Sequence, residues 1–132
     1  MVAVSLKKKI QILLKDETVA VANGVLTQDG TANFIPAGAF ILALRFKVGA
    51  QPGGTAWYSA GTSTGATAYL PTGTSTAAGT TSFGGTTTSV ANTFGLWIGN
   101  AARTMRFTFN ANTSDALGSI TYGIWYILPT VA

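Results

Sequence analysis

Apolar and polar residues alternate with a period of two along several parts of the chain, as they do in half-buried β-strands. The clearest example is the segment Phe40–Val48, whose apolar face consists of alternate residues: Phe40, Leu42, Leu44, Phe46 and Val48. Arg45 and Lys47 fall on the opposite face. The pattern therefore predicts a strand with one face in a core and its charges turned to water or to a partner.

Two further segments repeat this alternation in the second half of the chain. One apolar face consists of Met105, Phe107 and Phe109, and the other of Ile120, Tyr122, Ile124, Tyr126 and Leu128. Pro129 ends the latter strand, since proline cannot donate a ladder hydrogen bond. Phe94, Leu96 and Ile98 form a shorter example, weakened by neighbouring glycines. We expect five of these residues in the core: Leu42, Leu44, Phe46, Phe107 and Ile124.

Turn-forming residues separate the predicted strands. Asp29-Gly30 is a pair that tight hairpins prefer. A break at Pro36-Ala37-Gly38 precedes the strand at Phe40, and Gln51-Pro52-Gly53-Gly54 follows it. Several short strands at this spacing predict an all-β sandwich or barrel in a single domain.

The two least regular segments are the N-terminus and the middle of the chain. Residues 1–15 fit either a helix or a strand, and their Val and Ile content favours an arm or edge strand. Residues 16–132 then form the β-sandwich domain. Within it, residues 71–92 are rich in Gly, Thr and Ser and predict a long excursion with Phe83 as its only large anchor.

The composition argues against an enzyme. The 132 residues are only 9% charged and include no His and no Cys, and no charged side chain occurs between Val48 and Ala102. Acid–base catalysis and metal binding need groups that this inventory nearly lacks. The carboxylates are Asp16, Glu17, Asp29 and Asp115, and the first two would point to opposite sides of a strand. We expect no catalytic site, no metal and no cofactor.

Two polar or aromatic groups permit a functional interpretation beside a structural one. The run 110–115, NANTSD, offers oxygen ligands but lacks the glycine and glutamate of a calcium loop, so turns explain it better. Six aromatic residues are candidates for a sugar-stacking platform, although core or subunit interface is the commoner role: Trp57, Tyr58, Tyr69, Trp97, Trp125 and Tyr126.

The net charge of +4 comes largely from one end of the chain. Four lysines lie among apolar residues there: Lys7, Lys8, Lys9 and Lys15. They are either a solvated edge or a partner-binding contact, and direct binding of nucleic acid usually needs more charge with interleaved aromatics. No apolar run is long enough for a membrane span. The order of the first residues does not fit a secretory signal, so we expect synthesis and folding in the cytoplasm of the producing cell.

One short segment resembles a recurring sequence motif of small virion proteins of tailed bacteriophages, the capsid decoration or cement proteins. It is Ile35-Pro36-Ala37-Gly38-Ala39-Phe40-Ile41-Leu42. The ending Gly118–Ile127, GSITYGIWYI, is similar to their final strand. The resemblance covers about half of the chain. It implies a jelly-roll-like antiparallel β-sandwich, a homotrimer, and binding to the major capsid protein on the outside of a phage head.

The sequence thus supports two classes of function. One is a non-enzymatic decoration protein that stabilises the shell and is located on the virion surface. The other is a receptor- or carbohydrate-binding β-module of a phage fibre or tail, for which exposed aromatics beside polar side chains would be the distinguishing feature. A nucleic-acid binder acting through Lys7–Lys9 is a weaker third.

Overall fold

The computed structural model describes residues 11–84 and 101–128, together with the backbone of 96–97. These residues form strands and loops, with no helix among them. The strands are β1 (Leu13–Ala20), β2 (Thr27–Asp29), β3 (Phe40–Val48), β4 (Trp57–Gly61), β5 (Leu70–Ser75), β6 (Thr81–Phe83), β7 (Leu96–Trp97), β8 (Arg106–Phe109) and β9 (Ser119–Ile127). The predicted all-β class is confirmed.

Two antiparallel sheets form the sandwich. Sheet A has the strand order β1-β9-β3-β6, with β7 also paired to β3, and sheet B has the order β2-β8-β4-β5. With the two-residue β7 set aside, successive strands alternate between the sheets until β5 follows β4 within sheet B, and the last strand returns beside the first. This order is that of a jelly roll, as predicted.

Strand β3 has the predicted bounds but not the predicted face along its whole length. Leu44, Phe46 and Val48 are buried, whereas Leu42 is only half-buried and Ile41 takes the core position. The reason is a register shift between Ile41 and Ala43 in the pairing with β9. Such a bulge adds a residue to one strand and reverses which side chains face inward. The prediction that Leu42 is buried was therefore wrong.

The C-terminal strands follow their predicted alternation closely. Every member of the apolar faces of β8 and β9 is buried, from Met105 through Tyr126, except Leu128, which follows the strand and is 40% exposed. Phe107 and Tyr122 meet edge to face at a centroid distance of 5.8 Å between the sheets. Phe46 packs on both of these rings, and Tyr58 meets Phe107 edge to face. This aromatic cluster is the centre of the core.

One predicted turn is confirmed and another is wrong. Gly38 has a φ of +74°, and the amide of Ala39 donates to the carbonyl of Pro36 at 3.2 Å. This is a type II turn, in which glycine is favoured at the third position because L side chains avoid positive φ. Asp29-Gly30, in contrast, makes no hairpin, since β2 pairs with β8 and not with the next strand.

The strands in the two irregular segments do not follow the segment boundaries that were predicted from the sequence. Strand β1 begins at Leu13 and is the edge strand of sheet A beside β9, whereas residues 1–10 lie outside the described residues. The described part of the excursion 71–92 contains most of β5 and all of β6. Phe83 is 72% exposed, so it is not the anchor that the sequence suggested.

Candidate partner-binding surfaces

Glu17 is committed to the fold. Its side chain accepts hydrogen bonds from the hydroxyl of Tyr122 and from both the amide and the hydroxyl of Thr31. Burial by itself would raise the pKa of Glu17, but these hydrogen bonds and nearby Lys15 bring it below its ordinary value. The carboxylate is therefore ionised at neutral pH and tied to three donors, which is a structural role.

Two of the other carboxylates are similarly engaged. Asp29 forms a two-pronged contact with Arg106, with Nε to Oδ1 at 2.7 Å, and the hydrogen bond from Arg106 lowers the pKa of Asp29. Asp115 accepts the backbone amides of Gly53 and Leu117. Asp16 is exposed on β1. No group of three or more metal-ligating side chains occurs in the part of the chain that the structure describes.

The structure describes only one of the four lysines of the predicted cluster. Lys7, Lys8 and Lys9 lie outside the described residues. Lys15 lies on the inward-facing side of β1, where its ammonium donates to the carbonyl of Phe34 at 2.8 Å and lies 4.5 Å from the centre of the Phe34 ring. Lys15 thus holds the loop before β3 against the edge strand. The sequence around Lys15 did not predict this contact.

The candidate aromatic platform does not exist as one surface. Tyr58, Tyr69 and Tyr126 are buried, whereas Trp57 and Trp125 are half-buried on strands of opposite sheets. The side chain of Trp97 lies outside the described structure. Trp125 lines a cleft on the outer face of sheet A together with charged residues of the neighbouring strands.

This cleft has a volume of about 310 Å³ and is formed by three neighbouring strands. It is lined by Leu14, Asp16, Arg45, Lys47, Thr121, Gly123 and Trp125. Gly123 pairs with Asp16 on one side and with Arg45 on the other, so these three residues form one row across the sheet. Sequence alternation placed Arg45 and Lys47 on this face, but only the register brings Asp16 into one row with Arg45.

A second, larger depression of about 520 Å³ surrounds the Asp29–Arg106 ion pair. Its other lining residues are small or hydroxyl-bearing apart from Arg103, and include Thr62, Ser63 and Thr64. The guanidinium of Arg106 already donates two hydrogen bonds to Asp29. This groove is therefore a less complete binding site than the cleft at Gly123.

The loops at one end of the sandwich are held together by side-chain hydrogen bonds. Thr113 is 3% exposed, and its hydroxyl donates to the carbonyl of Ala22 and accepts the amide of Val25. Leu26 and Leu117 project from the same end and are 48% and 76% exposed.

The helices that a membrane span requires are absent from the residues described here. A scan against protein-family models and a search of curated proteins found no match. A search of solved structures found a similar chain in the structure described as the cyanophage Pam1 capsid asymmetric unit. The likeness has a TM-score of 0.68 at 18% identity, and it covers 98% of this chain and 93% of that one. The two chains share a fold over nearly their whole lengths.

Proposed function

We propose that this protein is a non-enzymatic structural component of a phage virion. The observation that carries the proposal is the likeness to a chain of a phage capsid structure, which spans almost all of both chains. The composition supports the same conclusion, because His and Cys are missing and three of the four carboxylates are tied up in the fold.

Within the virion, we propose that it is a decoration protein on the outer surface of the head. Such a protein stabilises a shell by adding interfaces between neighbouring shell subunits, and interfaces need area and complementary shape, not reactive groups. The major capsid protein is then its partner. Synthesis takes place in the host cytoplasm before assembly.

The proposed attachment site is the N-terminal segment together with the beginning of β1. Lys7, Lys8 and Lys9 stand next to apolar residues in the sequence, and the first described residues continue this character, since Ile12 and Leu14 are 61% and 58% exposed. An apolar and basic surface suits an acidic, partly apolar partner. Lys15 belongs to the same segment, but its ammonium is held by Phe34, so its contribution is to position β1.

We further propose a homotrimer. Exposed apolar side chains occur at both the edge strand and the loop end, at Leu14, Leu26 and Leu117 among others. Sharing part of this surface between identical copies would remove it from water. Light scattering of the purified protein at micromolar concentration tests this directly, with a mass of three chains expected. A monomeric mass would contradict a trimer that exists free in solution.

A second candidate function is a receptor- or carbohydrate-binding β-module of a phage fibre or tail. The specific observation in its favour is Trp125, a half-buried aromatic residue beside exposed Asp16, Arg45 and Lys47. The two candidates differ in location. Electron microscopy of virions with and without the protein separates them, since the first predicts density on the head and the second predicts density on the tail or its fibres.

A further inference from the structure

The backbone conformation and packing at Gly123 do not require a glycine. It lies in the middle of β9, which has a partner strand on each side, and it pairs in register with both of them. Its φ is not among the positive values of the described glycines. A Cβ at this position would have Asp16 Cβ at 3.5 Å as its nearest neighbour, which is ordinary contact.

A glycine inside a strand lowers β-propensity and leaves no side chain to pack. Gly123 lies at no bulge or turn and is not crowded, and a close approach of a ligand or another molecule to the backbone is a further reason for a glycine inside a strand. In this protein the consequence is a depression in the outer face of sheet A, with Gly123 as its floor. The volume of about 310 Å³ is at the lower end of the range for small-molecule pockets, roughly 300 to 1,000 Å³.

The walls of the depression carry both signs of charge. Asp16 lies on one side and Arg45 on the other, two strand spacings apart, or roughly 10 Å between their Cα atoms. Lys47 stands beside Arg45 on the same face. Asp16, Arg45 and Lys47 make no ion pair or hydrogen bond through their side chains within the described residues. Their polar groups are therefore available to a ligand.

This arrangement selects among classes of ligand. A carboxylate at the centre would be attracted by Arg45 and Lys47 but repelled by Asp16, and an ammonium would meet the reverse, so an ion of either sign faces at least one unfavourable charge. A neutral ring with several hydroxyl groups meets all three at once, because each hydroxyl can donate to the carboxylate or accept from the cations. Trp125 at one end of the cleft offers an aromatic surface for the apolar C–H face of such a ring.

We infer that the cleft at Gly123 is a binding site for one pyranose ring of a neutral glycan, with Asp16, Arg45 and Lys47 as its polar contacts and Trp125 as its stacking surface. This site is separate from the proposed attachment segment, although Leu14 borders both. A virion protein with such a site would contact carbohydrate on the host surface while it remains attached to the particle.

The test is a titration of the ¹⁵N-labelled protein, followed by two-dimensional NMR. The probes are the methyl glycosides of glucose, galactose, mannose and N-acetylglucosamine, with acetate and ethylamine as ionic probes. At least one sugar should give saturable shifts at the Trp125 indole and at the amides of Thr121 and Gly123. Gly123→Val, which places a side chain in the depression, should weaken this binding at least tenfold, and so should Trp125→Ala.

Thr108→Val is the matched control, since it places the same side chain on the outer face of sheet B and should leave sugar binding unchanged. The inference is overturned if no sugar shifts these signals, or if the shifts persist in Gly123→Val. Equal shifts with acetate or ethylamine would also overturn it in favour of a charged partner. Shifts that appear on raising the protein concentration alone would assign the cleft to a second copy. Capsid attachment is measured separately, so its outcome does not decide this one.

Discussion

Tyr122 and Glu17 are cross-strand partners on β9 and β1, and the hydroxyl of the fully buried tyrosine donates a hydrogen bond to the carboxylate. The same carboxylate holds the amide and the hydroxyl of Thr31, in the loop between β2 and β3. One acidic side chain therefore joins the edge strand, the core and that loop. Removing any one of these contacts is expected to loosen the β1 side of the sandwich.

The first prediction concerns this hydrogen bond. Tyr122→Phe should lower the free energy of unfolding by about 1.5 to 3 kcal/mol, the range for hydrogen bonds to charged groups. Urea unfolding followed by circular dichroism measures it. Tyr126→Phe is the control, because Tyr126 is also buried on β9 but makes no side-chain hydrogen bond to the part of the chain that the structure describes, and its replacement should cost much less. Equal losses in the two variants would contradict the assigned role of Tyr122.

The second prediction is acid sensitivity. The pKa values of Glu17 and Asp29 are both lower in the folded protein than their ordinary values. The unfolded chain therefore binds more protons near pH 4, so stability is greatest above that region and falls as the pH drops through the folded pKa values. The thermal midpoint should decrease from about pH 5 downward, where these carboxylates begin to take up protons. Glu17→Gln should be less stable at neutral pH, and its difference from the native protein should shrink in acid. A constant difference would contradict this linkage.

The third prediction concerns the core strand β3. Leu44 is 5% exposed and faces the aromatic cluster, so Leu44→Asp buries an unpaired charge and should abolish folding at ambient temperature. Leu117→Asp is the matched control, since Leu117 is 76% exposed and its replacement should leave the circular dichroism spectrum unchanged. A folded Leu44→Asp protein would show that this part of β3 is outside the core.

The fold was largely predictable because apolar and polar residues alternate over most of the length of its longest strands. The bounds of β3 and the buried faces of β8 and β9 could be read from period two alone. The bulge at Leu42 could not, since an extra residue in one strand leaves the apolar run intact and only the partner strand reveals the shift. Asp29-Gly30 misled for a related reason. Asp29 forms an ion pair with Arg106, which is far away in the sequence, and no local sequence pattern predicts such a pair.

The candidate sites were less predictable than the fold. Lys15 was predicted as a solvated edge or a partner-binding contact, whereas its ammonium is held by Phe34. No role was predicted from the sequence for Glu17, which hydrogen-bonds to Thr31 and Tyr122. The cleft at Gly123 depends on three strands that are far apart in the sequence and on their exact register. Its sequence signal was a glycine amid an apolar strand, which became informative only when space for a side chain was found there.

The fourth prediction concerns the loop end. Thr113→Val keeps the shape of the side chain but leaves the carbonyl of Ala22 and the amide of Val25 without their hydroxyl partner. The cost should be about 1 to 3 kcal/mol, because these groups are partly buried. Urea unfolding measures it, with Thr18→Val on exposed β1 as the control. A loss no larger than that of Thr18→Val would contradict the role of Thr113 as a fastening point.

The fifth prediction concerns the N-terminus. Deleting Met1 to Lys9 should leave the fold intact, because within the described residues β1 pairs with β9 from Leu13 to Ala20, beyond the deleted segment. Attachment to heads should weaken, and the loss should be larger at low salt than at high salt. Replacing Lys7, Lys8 and Lys9 by Gln should reproduce the effect, whereas Arg45→Gln with Lys47→Gln should not. An unfolded deletion variant would instead place this segment in the core.

The most direct test of the central claim is co-sedimentation of the purified protein with expanded heads of the encoding phage from which it has been removed. The account predicts saturable binding, with a fixed number of copies per head, and density on the outer surface of those heads by electron microscopy. If the folded protein stays in the supernatant at every concentration and salt tested, it is not a component of the capsid surface.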